Sequence, residues 1–233
     1  MLMNAKSNCS TCVMGQFCLP HALTNEELDR VGELVKNRTK LKKNDRLYQH
    51  GEKMSAIYNI RFGSLKSEYS TEDGQRQVVG FHLPGDMVGL DSLDNNIYQT
   101  TAIAMEDSEA CIIKFDEFES LSHQIPSMAK HLQRNLSREI GKAYHHVLSL
   151  GHDKAQEKLA YFILDLSDRK SFRGSNGLEF ELKMGRDEIA SFLGMEIETV
   201  SRTLTKLIKA ELIEVSYRHL KIINMTGLRT LSS

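Results

Sequence analysis

The sequence predicts an α+β chain: an all-β barrel or roll, one long helix and a C-terminal winged helix-turn-helix. Three observations predict it. Across residues 41–115, short apolar runs alternate with glycine turns, the spacing of an all-β domain. Across 126–149, apolar residues recur every three or four positions, as on one face of a long helix. Across 186–210, two short amphipathic segments flank Gly194-Met195-Glu196, the spacing of a helix-turn-helix.

In chain order, residues 1–20 read as an irregular cysteine-rich segment ending in Leu19-Pro20. Thr24-Asn25-Glu26-Glu27 opens a helix, with Thr24 as N-cap and Glu27 at the capping-box position. Leu28, Val31, Leu34 and Val35 are its apolar stripe. Strands are predicted over 46–48, 57–60, 65–69, 77–83, 101–105 and 110–115, and Asp73-Gly74 predicts a hairpin. On the long helix, Ile125, Met128, Leu132, Leu136, Ile140, Ala143, Val147 and Leu150 form a coiled-coil-like seam. One helix of this length cannot bury two faces on one small barrel. A homodimer is therefore expected, with Met128, Leu132, Leu136, Ile140, Ala143 and Val147 at its interface.

Gly151 breaks the pattern and is read as a domain boundary. A helix with Ala155, Leu159, Phe162, Ile163 and Leu166 inward follows, then a polar loop over 170–177 and an alternating strand over 178–182. The predicted organisation is a cysteine segment (1–20), a β-roll (21–125), a dimerisation helix (126–150) and a winged helix-turn-helix (151–233). In that last domain Ile189, Ala190, Leu193, Ile197, Val200, Leu204, Leu207 and Ile208 are expected inward. Gly194 is free to take positive φ. Runs 212–215 and 220–223 flank residues 216–219 as a wing.

The outward face of the second helix carries Glu198, Thr199, Ser201, Arg202, Thr205, Lys206 and Lys209. The first turns of such a helix reach base edges. Arg202 suits guanine N7 and O6, Glu198 accepts from cytosine N4, and Ser201 is adaptable. Lys206 and Lys209 suit phosphates. A solvated Glu198–Arg202 ion pair is the alternative. The formal net charge is −1, and residues 151–233 carry 13 basic and 12 acidic side chains. DNA binding would thus rest on a few placed side chains, with little help from a global field.

Of four cysteines, three fall in Cys9-x-x-Cys12-x5-Cys18, and the fourth is the distant Cys111. Two disulfides would suit a secreted protein, but Met1-Leu2-Met3-Asn4-Ala5-Lys6 lacks a secretory pattern. No apolar run approaches the ~18–20 residues of a membrane span. A cytoplasmic chain with reduced thiols is expected, where clustered cysteines bind metal or act in redox chemistry. Cys111 alone would pass for a small buried hydrophobe. A tetrahedral zinc site and a Cys9-x-x-Cys12 dithiol remain rivals. No catalytic constellation appears, so no enzyme is expected; His145-His146 read as exposed.

Together these motifs resemble the CRP/FNR family of bacterial transcription regulators, and within it the FNR branch of oxygen-sensing regulators. The resemblance runs from Cys9 to about Ile223 and rests on the cysteine spacing, Gly80-Phe81-His82-Leu83-Pro84-Gly85-Asp86 and Glu198-x-x-Ser201-Arg202. It implies a cyclic-nucleotide-binding-like jelly roll. It also implies a 4Fe-4S cluster on Cys9, Cys12, Cys18 and Cys111 that oxygen degrades, with loss of the dimer and of DNA binding. It implies a double-stranded TTGAT…ATCAA-type palindrome as target and RNA polymerase as a partner of the 71–76 hairpin. Val13, Met14 and Phe17, between the ligands, would shield the cluster or simply pack the loop.

Three departures stand out. Ala143 occupies a mid-seam position where such regulators often carry an aspartate, which favours a dimer that persists in air. Glu196 replaces the usual hydroxyl before the recognition helix. Gln75 and Arg76 stand where acidic residues are common. No cyclic nucleotide is expected, because residues 77–113 hold no lysine or arginine to meet its phosphate.

Overall fold

A computed structural model describes residues 9, 12, 15–18, 23–35, 37–71, 73–151 and 154–232. The chain divides into two compact units, 1–139 and 140–233.

In the first unit, α1 (Gly15–Cys18) and α2 (Asn25–Leu34) precede the roll. The capping box closes as predicted: Thr24 Oγ1 accepts from Glu27 N–H at 3.2 Å and Glu27 Oε2 accepts from Thr24 N–H at 2.8 Å. The strands are β1 (Arg38–Leu41), β2 (Arg46–Tyr48), β3 (Ile57–Phe62), β4 (Leu65–Ser70), β5 (Arg76–His82), β6 (Met87–Val88), β7 (Thr101–Ala104) and β8 (Ser108–Ile113). They pair antiparallel in two four-stranded sheets, β1-β8-β3-β6 and β2-β7-β4-β5. Neither β1 nor β6 was expected. The first is mostly polar, and the second, at two residues, is too short to show alternation.

Side chains of both sheets, including Ile57, Ile60, Leu65, Ala102 and Ala110, are buried in one core. Tyr48 stacks on Tyr98 at 4.0 Å and on Tyr58 at 5.9 Å within it. The β3–β4 turn requires Gly63: its φ is +81°, and a Cβ there would stand 2.2 Å from Ser108 Oγ. The predicted Asp73-Gly74 hairpin joins β4 and β5.

The strand expected over 110–115 ends at Ile113, and Phe115 opens α3 (Phe115–Gln124). Asp116 and Glu117 in its first turn suit the positive end of a helix. Helix α4 (Pro126–Gly151) starts with proline at its first position, where a missing N–H costs nothing. It runs through Gly151, and the division between units falls inside it, earlier than the boundary read at Gly151.

The second unit holds the end of α4, α5 (Ala155–Phe172), β9 (Glu179–Glu181), α6 (Arg186–Leu193), α7 (Ile197–Lys209), β10 (Ile213–Ser216), β11 (His219–Ile222) and α8 (Met225–Leu231). Its sheet order is β10-β11-β9, and β10–β11 is the predicted wing. Helix α8 had no counterpart in the sequence reading. Among the described residues no helix is long and apolar enough to cross a membrane.

Candidate functional site

Two arrangements carry chemistry. The first is the thiol set. Among the described residues of the cysteine segment, Cys12 N–H donates to the Cys9 carbonyl at 3.3 Å, and Gly15 N–H to the Cys12 carbonyl at 2.9 Å. Helix α1 begins at Gly15 and ends on Cys18. On the roll, Cys111 lies in β8 between Arg38 of β1 and Asn59 of β3, its register partners. All four thiols are free and half-buried, and Cys9 and Cys111 pack against the apolar core of the roll.

The four sulfurs are close enough to act on one another. Burial, then the negative charge of Cys111, Cys12 and Cys9, pushes the Cys18 thiol up to about 12. Burial raises Cys111 to about 11, with Cys9 and Cys12 adding to it and Arg38 and Arg61 opposing. Burial and Cys12 likewise raise Cys9, against the pull of Arg38. A set that disfavours its own thiolates this strongly is suited to a bound cationic centre, which displaces the protons. The donors are all soft sulfur, which suits iron–sulfur clusters and is accepted by zinc. Among the described residues, no three Cys, His, Asp or Glu side chains are grouped around a single metal-ion position. Val13, Met14 and the side chain of Phe17 lie outside the described residues.

Two arginines beside the thiols escaped the sequence reading. Arg61 Nη1 donates to Glu109 Oε1 at 2.9 Å, and Arg38 Nη1 is paired with the same oxygen at 3.5 Å. The signal was the polar stretch at 38 and 61, which reads as ordinary surface until strand pairing is known.

The second arrangement is the face of α7. Gly194 ends α6 in the left-handed conformation, φ 60° and ψ 46°, as expected. Ile189, Ala190, Leu193, Val200, Leu204 and Leu207 are buried as predicted. Ile197 and Ile208, expected inward, are 46% and 39% exposed, and Thr203 is buried instead. Ile197 is the first residue of α7, and Ile208 sits one position off the 200–204–207 stripe.

On the outer face Glu198, Arg202 and Lys206 are exposed, and Thr199 and Ser201 are half-buried. Arg202 donates to Thr199 Oγ1 at 3.2 Å and makes no ion pair with Glu198 among the described residues. Arg186, at the start of α6, donates to Ser201 Oγ at 3.1 Å. It therefore joins this face, an addition that only the packing of α6 against α7 reveals. Glu196 is the N-cap of α7 but makes no side-chain cap bond.

The predicted dimer seam divides. Met128, at 3% exposure, belongs to the core of its own roll, and Leu132 and Leu136 pack half-buried against that core. Met128 thus has no surface left for a second copy. Ile140, Tyr144, Val147 and Leu148 are 54%, 68%, 64% and 63% exposed, and Ala143 is exposed beside them. His146, read as exposed, stacks on Phe192 at 3.9 Å, and its Nε2 meets the Phe192 carbonyl at 2.7 Å. His145 bonds to the Tyr161 hydroxyl.

Comparison with known proteins follows the same division. Residues 38–124 match the cyclic nucleotide-binding domain family and 157–231 the Crp-like helix-turn-helix domain family. The chain is 37% identical to the transcriptional regulatory protein btr of Bordetella pertussis over 97% of this chain and 93% of that one. It is 35% identical to the transcriptional activator protein FnrA of Stutzerimonas stutzeri over 97% and 93%. It is also 35% identical to the fumarate and nitrate reduction regulatory protein of Yersinia pestis over 97% and 90%. These relatives are regulators, not enzymes. Among solved structures, FixK2 from Bradyrhizobium japonicum matches with a TM-score of 0.77 at 27% identity, covering 84% of this chain and 97% of that one. With relatives this similar along nearly their whole length, the chain belongs to the CRP/FNR family of transcription regulators, which bind DNA and act as dimers.

Proposed function

We propose that this protein regulates anaerobic gene expression by sensing oxygen through a labile 4Fe-4S cluster. The observation that carries the reading is that Cys9, from the amino-terminal segment, and Cys111, on the roll, pack against the same core, with Cys12 and Cys18 near enough to be felt electrostatically. Relatives named for anaerobic and fumarate–nitrate regulation support it. Cys9, Cys12, Cys18 and Cys111 would hold the cluster, which when bound supplies an oxygen-sensitive tie between segment and roll.

Cys9 of the segment packs on the same core as the first half of α4, since Cys9, Cys111, Leu132 and Leu136 all adjoin it. Tying the segment down therefore bears on α4, whose Ile140, Ala143 and Val147 stripe would meet a second copy. The dimer presents two α7 helices to successive major grooves of a TTGAT…ATCAA-like palindrome. There Arg202, Glu198 and Ser201 read bases, with Thr199 positioning Arg202 and Lys206 on phosphate. RNA polymerase would engage the 71–76 hairpin.

The roll is read as taking no cyclic nucleotide. Residues 77–113 offer no cation for a phosphate, and the stacked Tyr48, Tyr58 and Tyr98 occupy the core.

Purification without oxygen, with iron and acid-labile sulfide measured per chain, tests the reading. About four of each, with a visible band that bleaches in air, is the expected result. Zinc, or no metal at all, would overturn it. Cys111→Ala should lose the cluster and anaerobic DNA binding while keeping the fold, and retention of both would remove Cys111 from the ligand set.

A further inference from the structure

The strand pairing that carries Cys111 also sets two arginines around the thiols. Arg38 of β1 is the register partner of Cys111, and Arg61 occupies the irregularity of β3 opposite Glu109, two positions before Cys111 on β8. Both guanidiniums share one oxygen of Glu109, at 3.5 and 2.9 Å. The trio is sheltered, with side-chain exposures of 24%, 38% and 15% for Arg38, Arg61 and Glu109. Two cations on one anion leave a surplus positive charge. The Nε atoms of both arginines are buried and have no hydrogen-bond partner among the described residues.

A buried N–H left unpaired is costly, and a sheltered unbalanced charge costs more unless an anion faces it. The thiols become anionic neighbours of the two arginines once they bind a metal centre as thiolates. Arg61 is tied through Glu109 to Arg38, which stands beside Cys111 in the strand register. The buried Asp86 carboxylate lies near Cys18.

We infer that Arg38 and Arg61 form a cationic cradle for the four-thiolate centre, donating to its sulfurs and offsetting its negative charge, while Glu109 holds the pair and tempers it. Four thiolates carry more negative charge than an iron–sulfur core cancels, so cations and N–H donors around the sulfurs strengthen binding. The inference rests on the cluster reading above and concerns positioning residues, not ligands.

The test uses the full chain loaded without oxygen, and follows iron release into excess chelator under nitrogen. Wild type is measured first. If it holds no iron and sulfide, the cluster reading fails before any variant is made. With a loaded wild type, Arg38→Gln and Arg61→Gln should each bind the cluster and release iron about tenfold faster. Glu109→Gln, which frees both guanidiniums, should release it more slowly. A merely structural role would instead make all three variants faster. Release within about twofold of wild type in both arginine variants, or acceleration by Glu109→Gln, would overturn the inference. Should Arg61→Gln fail to fold, Arg61→Lys keeps the charge but not the fork of donors. Its release should be several-fold faster than wild type, and an unchanged rate overturns the proposal.

Discussion

In the proposed function, Arg202 is the side chain on which base reading turns. It is exposed near the amino-terminal end of α7 and steadied by Thr199 at 3.2 Å. Arg202→Ala should cost ~1–3 kcal/mol at one base pair of the operator and little elsewhere, as measured by binding to a set of single-base variants. Uniform weakening on every sequence would assign it to phosphate. Gly63 illustrates a purely structural demand. A methyl group there would stand 2.7 Å from the Asp107 carbonyl oxygen as well as 2.2 Å from Ser108 Oγ, at a φ of +81°. Gly63→Ala should destabilise the protein by about 3 kcal/mol or more, read as a lower midpoint in urea. The turn itself was legible from glycine in a strand-rich stretch. The closeness of Ser108 was not, because that contact depends on the pairing of distant strands.

Helix α4 serves two purposes along its length. Its first half gives Ile125-adjacent Met128 to the roll, and its second half leaves Ile140, Tyr144, Val147 and Leu148 exposed on neighbouring turns. Apolar side chains at this spacing and exposure are what a partner helix buries. Val147→Glu should raise the dimer dissociation constant by ~10²-fold, since about 1.5 kcal/mol is lost on each of two chains. Sedimentation would show it. The thermal midpoint of the monomer should stay unchanged, because Val147 is 64% exposed in the single chain. A collapse of monomer stability would mean that Val147 packs within its own chain.

For the assembled protein, the proposed function ties the dimer to the cysteine centre. Ala143 is exposed on the stripe and adds no charge to it. Some dimer should therefore persist in air at micromolar concentration, and a purely monomeric aerobic apoprotein in sedimentation would refute this. Ala143→Asp brings two carboxylates together across the interface and should make the aerobic protein monomeric.

Features set by neighbours in the chain were legible without a structure. The capping box at Thr24, the left-handed turn at Gly194, the spacing of Cys9, Cys12 and Cys18, and the polar face of α7 each depend on residues a few positions apart. Such contacts follow from helical and turn geometry alone. What only the folded chain decided depends on which surfaces meet. Strand register set Arg38 beside Cys111 and Arg61 beside Glu109, the roll claimed Met128 from the predicted dimer seam, and packing of α6 on α7 brought Arg186 to Ser201. A side chain's spacing shows which faces it shares with its neighbours in the chain. Burial and partnership are settled by pairings between distant segments, on which local periodicity is silent.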